Sequence, residues 1–211
     1  DWLEDIHRAY VEAGAQILYA NTFGANREKL SHCGKTVEEI VPAAVALAKE
    51  AATKAALAEV LPAFDSTEEQ TLTVDELPIT VYTATKEGQV TGYAVQTMTK
   101  QGFNGVVRLM VGFTPDGEVV NVNVLEQSET PGLGTKMADE GNPLLGSIQG
   151  QKLENKKLVD GKLAVTKDGG DVDALTAATI SSRAYVDAVN RAWMAYKSVA
   201  AGVEATDTAS G

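Results

Sequence analysis

The chain has 211 residues, of which 44% are hydrophobic and 22% charged, and its formal net charge is −11. This length and composition predict one large domain, or one domain with a small appendage, that buries a core without disulfide bonds. The negative charge argues against nucleic acids and anionic lipid surfaces as partners, because their phosphates repel it.

The N-terminal third has a different pattern from the rest. Apolar residues at helical spacing over 1–14, a short apolar run over 16–23 and an alanine-rich stretch over 37–61 predict a helix–strand–helix segment. Thr36 and Glu39 have the spacing of a capping box at the start of the second helix. The isolated apolar strand must be paired or covered, so it joins the sheet edge of the next domain or, as a weaker alternative, pairs in a symmetric homodimer.

Alternating strands follow. Residues 66–77 are polar and predict a loop or an edge element, and residues 79–85, 90–97, 105–113 and 119–126 predict strands. Short turns at 86–89 and 114–117 make these strands antiparallel neighbours. The expected fold class is therefore α+β, an antiparallel twisted sheet with flanking helices, preceded by the helix–strand–helix segment.

The last third predicts shorter elements and one long helix. We expect a helix within 137–151, a hairpin over 157–165, a helix over 180–200 and a disordered tail over 201–211. Four side chains of the long helix, Tyr185, Val189, Trp193 and Tyr196, share its inward face. We place the domains at 1–50, 51–200 and 201–211, with the first not an independent domain.

Small residues lead into the long helix. Thr176, Ala177, Ala178 and Thr179 allow an anion to approach the backbone, and the free N–H groups and dipole of the helix favour negative charge there. Ser181 and Ser182 add hydroxyl groups in the first turn. A phosphate fits such a position, but from the residues alone a threonine that simply caps a surface helix is the commoner case.

A second polar, glycine-containing loop precedes this segment by some fifty residues. Pro131 and Gly132 predict a tight turn, and Gly132 and Gly134 leave room for a flat ring against the backbone. Glu129 and Thr130 offer polar groups to the edge of such a ring. An ordinary surface turn is the alternative for this loop taken alone.

Together the two segments resemble the FMN-binding domain family, which includes the G subunit of the Rnf electron transport complex and the C subunit of the sodium-pumping NADH:quinone reductase. The motif Asp173-Ala174-Leu175-Thr176-Ala177-Ala178-Thr179 is similar to the flavin-attachment motif of that family, with alanine at 177 where glycine is commoner. The loop 128–134 is similar to its other signature. The resemblance covers about residues 51–199.

The resemblance implies a cofactor and a set of site residues. FMN is covalently attached through a phosphoester to Thr179 by a flavin transferase that uses FAD. The implied cofactor-binding residues are Asp173, Thr176, Ala177, Ala178, Thr179, Ser181, Ser182, Glu129, Thr130, Pro131, Gly132, Leu133 and Gly134. The implied function is electron transfer, as a redox subunit rather than a stand-alone enzyme.

The resemblance also implies partners and a location. The partners are the other subunits of a membrane-associated, ion-translocating NADH or ferredoxin oxidoreductase, at the extracytoplasmic face of the bacterial inner membrane. No apolar run of this sequence approaches the roughly 18 residues that span a bilayer, so we expect it to be soluble and without an anchor. Because no signal peptide is visible and the sequence starts at Asp1, we expect a fragment or a processed product.

Residues 1–52 are similar to a different family, the homocysteine S-methyltransferases, a TIM-barrel family that includes the N-terminal module of methionine synthase. About fifty residues supply only a small part of a barrel, which needs roughly 200 or more. A zinc site needs three or four well-placed ligands, and this segment offers only His7, His32 and Cys33. We therefore expect residues 1–50 to be catalytically silent and to bind no catalytic metal. The alternatives to an electron carrier are a methyltransferase relic and a non-redox binding module without flavin.

Overall fold

The computed structural model describes residues 36–207, with side chains described up to Gly202. Contacts divide the chain into two compact units, Asp1–Leu57 and Ala58–Gly211. Helix α1, Val37–Val60, crosses this boundary. The predictions for residues 1–35 lie outside the described residues. They include the strand over 16–23, the dimer built on it and the expectation that His7, His32 and Cys33 bind no catalytic metal.

In the first unit, the described residues are Thr36 and residues 37–57 of α1. The predicted capping box is confirmed: the backbone N–H of Glu39 donates to Thr36 Oγ1 (3.2 Å) and that of Thr36 to Glu39 Oε2 (2.9 Å). Each side chain thereby satisfies a backbone donor that the first helical turn leaves without a partner.

The second unit contains a five-stranded antiparallel meander in the order β1-β2-β3-β4-β5. The strands are β1 Ser66–Val74, β2 Leu77–Lys86, β3 Gln89–Gly102, β4 Gly105–Phe113 and β5 Val119–Glu126. The predicted antiparallel α+β class and the bounds of β4 and β5 are confirmed. Residues 66–74 form a full edge strand, where the prediction left a loop open as an alternative.

The smaller elements follow in chain order. They are a 3-10 turn at Gly134–Ala138, the short helix α2 at Pro143–Gly146, a second 3-10 turn at Leu153–Asn155, strands β6 Leu158–Val159 and β7 Lys162–Leu163, and a third 3-10 turn at Thr166–Asp168. The predicted hairpin is thus present as the pair β6–β7. The final helix, α3, spans Thr179–Asp207, seven residues beyond the predicted end at Ala200. The alanine and glutamate residues after Ala200 favour continuation of the helix more than the single Gly202 opposes it.

The core lies between α3 and the sheet. Val107, Leu109, Val111 and Phe113 alternate along β4 and share one buried face, as the period of a strand requires. The opposite face of the core is the predicted inward stripe of α3, and all four of its members are buried: Tyr185, Val189, Trp193 and Tyr196.

Polar contacts fix α3 along the sheet. Thr97 Oγ1 donates to the carbonyl oxygen of Ala188 (3.1 Å), and Tyr196 Oη donates to that of Pro115 (2.9 Å). The Asn190 side chain bonds both the N–H and the carbonyl of Leu163, at 2.9 and 3.0 Å. Because these contacts are distributed along the helix, its first residue is held at a defined place beside β3 and β4.

A glycine in β4 allows the chain at the end of α1 to cross the sheet closely. A Cβ atom at position 112 would overlap the backbone carbonyl of Val60, which is fully buried. The Cβ atom would be fixed to the backbone of residue 112, and the group it meets is the backbone of Val60. A rotamer change therefore cannot relieve the overlap.

We therefore expect Gly112→Ala to lower the free energy of unfolding by roughly 3 kcal/mol. Urea denaturation followed by far-UV circular dichroism measures this. The matched control is Gly146→Ala, because no atom lies within 4 Å of a Cβ there and the change should stay within about 0.5 kcal/mol. Equal stability of the two variants would contradict the close approach of Val60.

Candidate functional site

The structure brings the two sequence motifs together. The loop 127–133 follows β5, and the 3-10 turn that begins at Gly134 lies against the first turn of α3. The hairpin turn between β3 and β4, at 103–104, meets the same point. Three segments far apart in sequence therefore surround the N-terminus of α3.

The side chain of Glu129 joins these segments. Its carboxylate accepts hydrogen bonds from the backbone N–H groups of Phe103 (3.1 Å) and Asn104 (3.0 Å), and from the hydroxyl of Ser181. The residue is only 3% exposed. A buried carboxylate is tolerated only when donors replace its water, and here neutral donors on two other segments do so.

Glu129 and Ser181 thus have partners other than those predicted. We expected Glu129 to meet the edge of a flavin ring and Ser181 to face a phosphate, but the side chains bond each other in the protein interior. This contact fixes the distance between the loop and the helix.

Gly134 is needed for this contact. A Cβ atom there would collide with the side chains of Ser181 and Glu129. Gly102, at the end of β3, is crowded in the same way by Glu129 Oε1, at 2.8 Å from a Cβ, and by the backbone of Gly105. Gly134 therefore makes room for the carboxylate contact, and its expected role of leaving room for a flat ring stays a prediction.

The turn before α3 is closed by Ser182. Its hydroxyl donates to the carbonyl of Ala178 (2.8 Å) and accepts from the N–H of Leu175 (2.9 Å). The residue is fully buried. Ser182 therefore shapes the turn that presents Thr179 instead of facing solvent.

Ala177 adopts the left-handed backbone conformation, with φ 58°. A Cβ atom costs roughly 1–2 kcal/mol there, and glycine carries no such cost. This conformation is the physical reason why a small residue, and glycine most easily, suits the position.

Thr179 is the first residue of α3 and is partly exposed. Its hydroxyl accepts a hydrogen bond from Lys167 Nζ (2.9 Å). The backbone N–H groups of residues 179–181 have no acceptor within the helix. Of the predicted residues, Thr176 and Asp173 are exposed nearby, and the N–H of Asp173 donates to Ser147 Oγ (2.9 Å).

A charged pair lies beside this hydroxyl. Arg183, one turn along α3, contacts both carboxylate oxygens of Asp168, at 2.7 and 2.6 Å. These hydrogen bonds hold the pKa of Asp168 below its ordinary value, with a further lowering from the charges of Arg183 and Lys167. Asp168 is therefore ionised and already occupied by the guanidinium.

Three large apolar side chains are exposed around the same point. Phe103 is 60% exposed, Ile180 47% and Leu133 38%. Phe103 and Ile180 are next in sequence to Asn104 and Ser181, which both hydrogen-bond Glu129, and Leu133 is next to Gly134. All three side chains therefore surround the start of α3. We call Phe103, Leu133 and Ile180 the apolar rim.

The loop residues complete the surroundings of the rim. Pro131 and Gly132 are exposed, Gly132 with φ 74°, and Thr130 is partly buried. Its carbonyl accepts from the N–H of Leu133 (3.1 Å), and the N–H of Gly132 donates to Thr135 Oγ1 (3.0 Å). The loop is therefore closed on itself and presents Leu133 outward.

Two site residues were missed from the sequence. Phe103 lies in the turn 102–105, and its exposure depends on the tertiary fold. Lys167 lies twelve residues before Thr179, in a turn with no periodic pattern. The Lys-Asp-Gly-Gly stretch at 167–170 is the only local signal for that turn.

Within residues 36–207 there is no group of three or more His, Cys, Asp or Glu side chains arranged to hold a metal ion. In the same range, no helix combines the length and the apolar character that crossing a bilayer requires.

Two family models match the sequence. The FMN-binding domain matches residues 102–194, and homocysteine S-methyltransferase matches residues 1–106. The second match extends beyond the expected limit near residue 52 and reaches into the sheet. Its described part forms α1 and antiparallel strands, whereas a TIM barrel consists of parallel strands alternating with helices.

The sequence is similar to the G subunit of the ion-translocating oxidoreductase complex from several bacteria. It is 44% identical to that of Pasteurella multocida, covering 51% of this chain and 52% of the relative. For Shewanella loihica the identity is 39%, with 57% and 55% covered. For Haemophilus influenzae strain Rd it is 40%, with 53% of each covered. The chain thus spans about half the length of these relatives.

We expect Glu129→Gln to destabilise the domain by about 2–4 kcal/mol, because the amide NH2 group would face a donor and the charge-assisted hydrogen bonds would be lost. Thermal unfolding measures this. Glu126→Gln is the matched control, because its contact with Arg108 (3.1 Å) is exposed and such pairs contribute about 0–1 kcal/mol. Similar losses in both variants would rule out the proposed role of the Glu129 carboxylate in joining the segments.

Proposed function

We propose, because the chain belongs to the FMN-binding domain family, that it is an electron-transfer flavoprotein. Over residues 1–106 the chain also belongs to the homocysteine S-methyltransferase family. In this proposal FMN is bound covalently, by a phosphoester to Thr179. The single observation that carries it is the position of the Thr179 hydroxyl, partly exposed at the first residue of α3.

The groups around Thr179 fit a flavin phosphate. The free N–H groups at the start of α3 and the helix dipole favour an anion, as they do at other phosphate-binding helix termini. The turn closed by Ser182 turns the hydroxyl outward, while the hydroxyl of Ser182 itself is buried and fully engaged. Thr179 is therefore a better candidate than its serine neighbours.

The apolar rim fits the ring of the same cofactor. An isoalloxazine ring is flat and largely apolar, and three exposed apolar side chains in an acidic protein favour such a partner. When bound, the flavin supplies the one- and two-electron chemistry, and the protein tethers it and shields part of its surface from water. The loop 128–134 contributes to this through Leu133.

The proposal includes partners by analogy with the relatives. These are named as subunits of an ion-translocating oxidoreductase complex, and we propose that this chain exchanges electrons with other subunits of such a membrane complex. We further propose maturation by a flavin transferase and a position at the extracytoplasmic face of the bacterial inner membrane. The exposed attachment site suits both, because an enzyme and a redox partner must each reach it.

A second candidate function rests on the other family match. Homocysteine S-methyltransferase matches residues 1–106, so a methyltransferase relic that binds homocysteine or a folate is a separate hypothesis. We favour the flavoprotein function over the methyltransferase relic because the segment 58–106 contributes strands to the same sheet that supports α3. Stoichiometric zinc in the purified protein, removable by mutating Cys33, would favour the second candidate instead.

We expect co-expression with a flavin transferase to add one FMN to the protein, and Thr179→Ala to abolish this addition. Intact mass spectrometry and in-gel flavin fluorescence after denaturation measure it. Thr179→Ser should keep the attachment, because it retains the hydroxyl.

Thr176→Ala is the matched control, since it removes a hydroxyl three residues earlier on the exposed turn. It should keep the flavin. Covalent flavin on the Thr179→Ala protein, or peptide mapping of flavin to Thr176 or Ser181, would show that the attachment site is elsewhere.

We expect Phe103→Ala to leave the flavin attached but to increase its exposure, because the most exposed member of the apolar rim is lost. Quenching of flavin fluorescence by iodide should rise by about twofold, on the order expected for uncovering one face of a ring. Gly134→Val is unsuitable for this test, because its side chain would disrupt the Glu129–Ser181 contact.

Met194→Ala serves as the control for this change. Met194 is also exposed, at 39%, but lies about four turns along α3 from Thr179. Its removal should leave iodide quenching unchanged. If Phe103→Ala and Met194→Ala behave alike, the ring does not lie on the apolar rim.

A further inference from the structure

Lys167 occupies an electrostatically unfavourable place. Its ammonium group donates to Thr179 Oγ1 (2.9 Å) at the N-terminus of α3. The N-terminal end of a helix carries a partial positive charge, so a cation is disfavoured there and an anion is favoured. The ammonium and the free N–H groups of the helix are also all donors, and neither can satisfy the other.

The carboxylate next to Lys167 hydrogen-bonds another cation. Asp168 is adjacent in sequence and attracts Lys167, but both of its carboxylate oxygens are bound by the guanidinium of Arg183. The whole chain carries a net charge of −11, yet the side chain that hydrogen-bonds the Thr179 hydroxyl is a cation. The arrangement lacks an acceptor that a phosphate group would supply.

The turn that carries Lys167 is held in place. The N–H of Thr166 donates to the carbonyl of Val172 (2.9 Å), and Gly169 closes the 3-10 turn with φ 90°. A Cβ atom at Gly170 would overlap the backbone of Ala164, so this segment packs tightly against its neighbour. The ammonium group therefore approaches Thr179 from a fixed backbone and not from a free loop.

We propose that Lys167 is the positioning residue for the flavin phosphate, pairing its ammonium with the anionic oxygens of the phosphodiester on Thr179. The inference rests on the proposed function and names one further residue of that site. The phosphodiester would lie between two sets of donors, the ammonium on one side and the N–H groups of residues 179–181 on the other. Its single negative charge would remove the repulsion between Lys167 and the helix dipole.

This role gives opposite stability effects in the two forms of the protein. In the unmodified protein, Lys167→Gln removes a cation from the positive end of a helix, so the melting temperature should stay constant or rise by about 1–3 °C. In the flavin-bearing protein, the same change removes the counter-ion of the phosphodiester, so the melting temperature should fall by about 2–4 °C. Lys167→Arg should retain most of the stability in the flavin-bearing form.

The experiment compares thermal unfolding of wild type, Lys167→Gln and Lys167→Arg, each with and without flavin, after intact mass has established the flavin content. Lys162→Gln is the control, because Lys162 is an exposed lysine on β7 and should give no difference between the two forms. Equal loss of stability in both forms would assign Lys167 a purely structural role, and no effect in either form would show that it does not bind the phosphate.

Failure of the proposed function is recognised separately. Inorganic phosphate added to the unmodified protein supplies the same anion without any transferase. It should raise the melting temperature of the wild type more than that of Lys167→Gln. If wild type never acquires flavin while this difference persists, the attachment proposal is wrong and the anion site stands. If both proteins respond equally to phosphate, the role of Lys167 is refuted.

Discussion

The contact between Glu129 and Ser181 determines the geometry of the whole site. One buried carboxylate binds the β3–β4 turn through two backbone N–H groups and the first turn of α3 through a hydroxyl. Burying this charge is unfavourable unless all of its donors are in place. The loop after β5, the hairpin tip and the helix N-terminus therefore assemble together, and the close packing of Gly134 and Gly102 is a consequence of that requirement.

The strands and the long helix were predictable because their signals are local. Alternation in β4 and β5 and the short turn at 114–117 identified both strands with their observed bounds, and the inward stripe of α3 followed from its period. The β1–β2 turn was harder. Asp75 and Glu76 both adopt positive φ, at 49° and 64°, and this two-residue turn lacks the Asn-Gly or Asp-Gly pattern that usually marks it.

The sequence predicts a candidate site, but it does not predict the hydrogen-bond partners of the residues in it. Spacing and resemblance identified Thr179 and the loop 128–134, and the structure places them together. They did not reveal that the side chains of Glu129 and Ser181 hydrogen-bond each other, because partners 52 residues apart in sequence depend on the tertiary fold. Nor did they reveal that the Ser182 hydroxyl bonds nearby backbone groups. Phe103 and Lys167 went unnoticed for the same reason: exposure and charge proximity are properties of the assembled surface.

The two edges of the sheet are protected by different means. The β5 edge is partly covered by residues 149–152, which bridge to Glu118 and Val119. In the described part of the chain β1 pairs with β2 alone, and it carries Glu68 and Glu69 without any lysine or arginine. Two copies approaching edge to edge would bring these carboxylates together, so charge repulsion discourages aggregation by strand addition. Salt weakens this barrier, because exposed charges are screened beyond about 10 Å at 0.1 M. Colloidal stability of concentrated protein should therefore be better in dilute buffer than in strong salt.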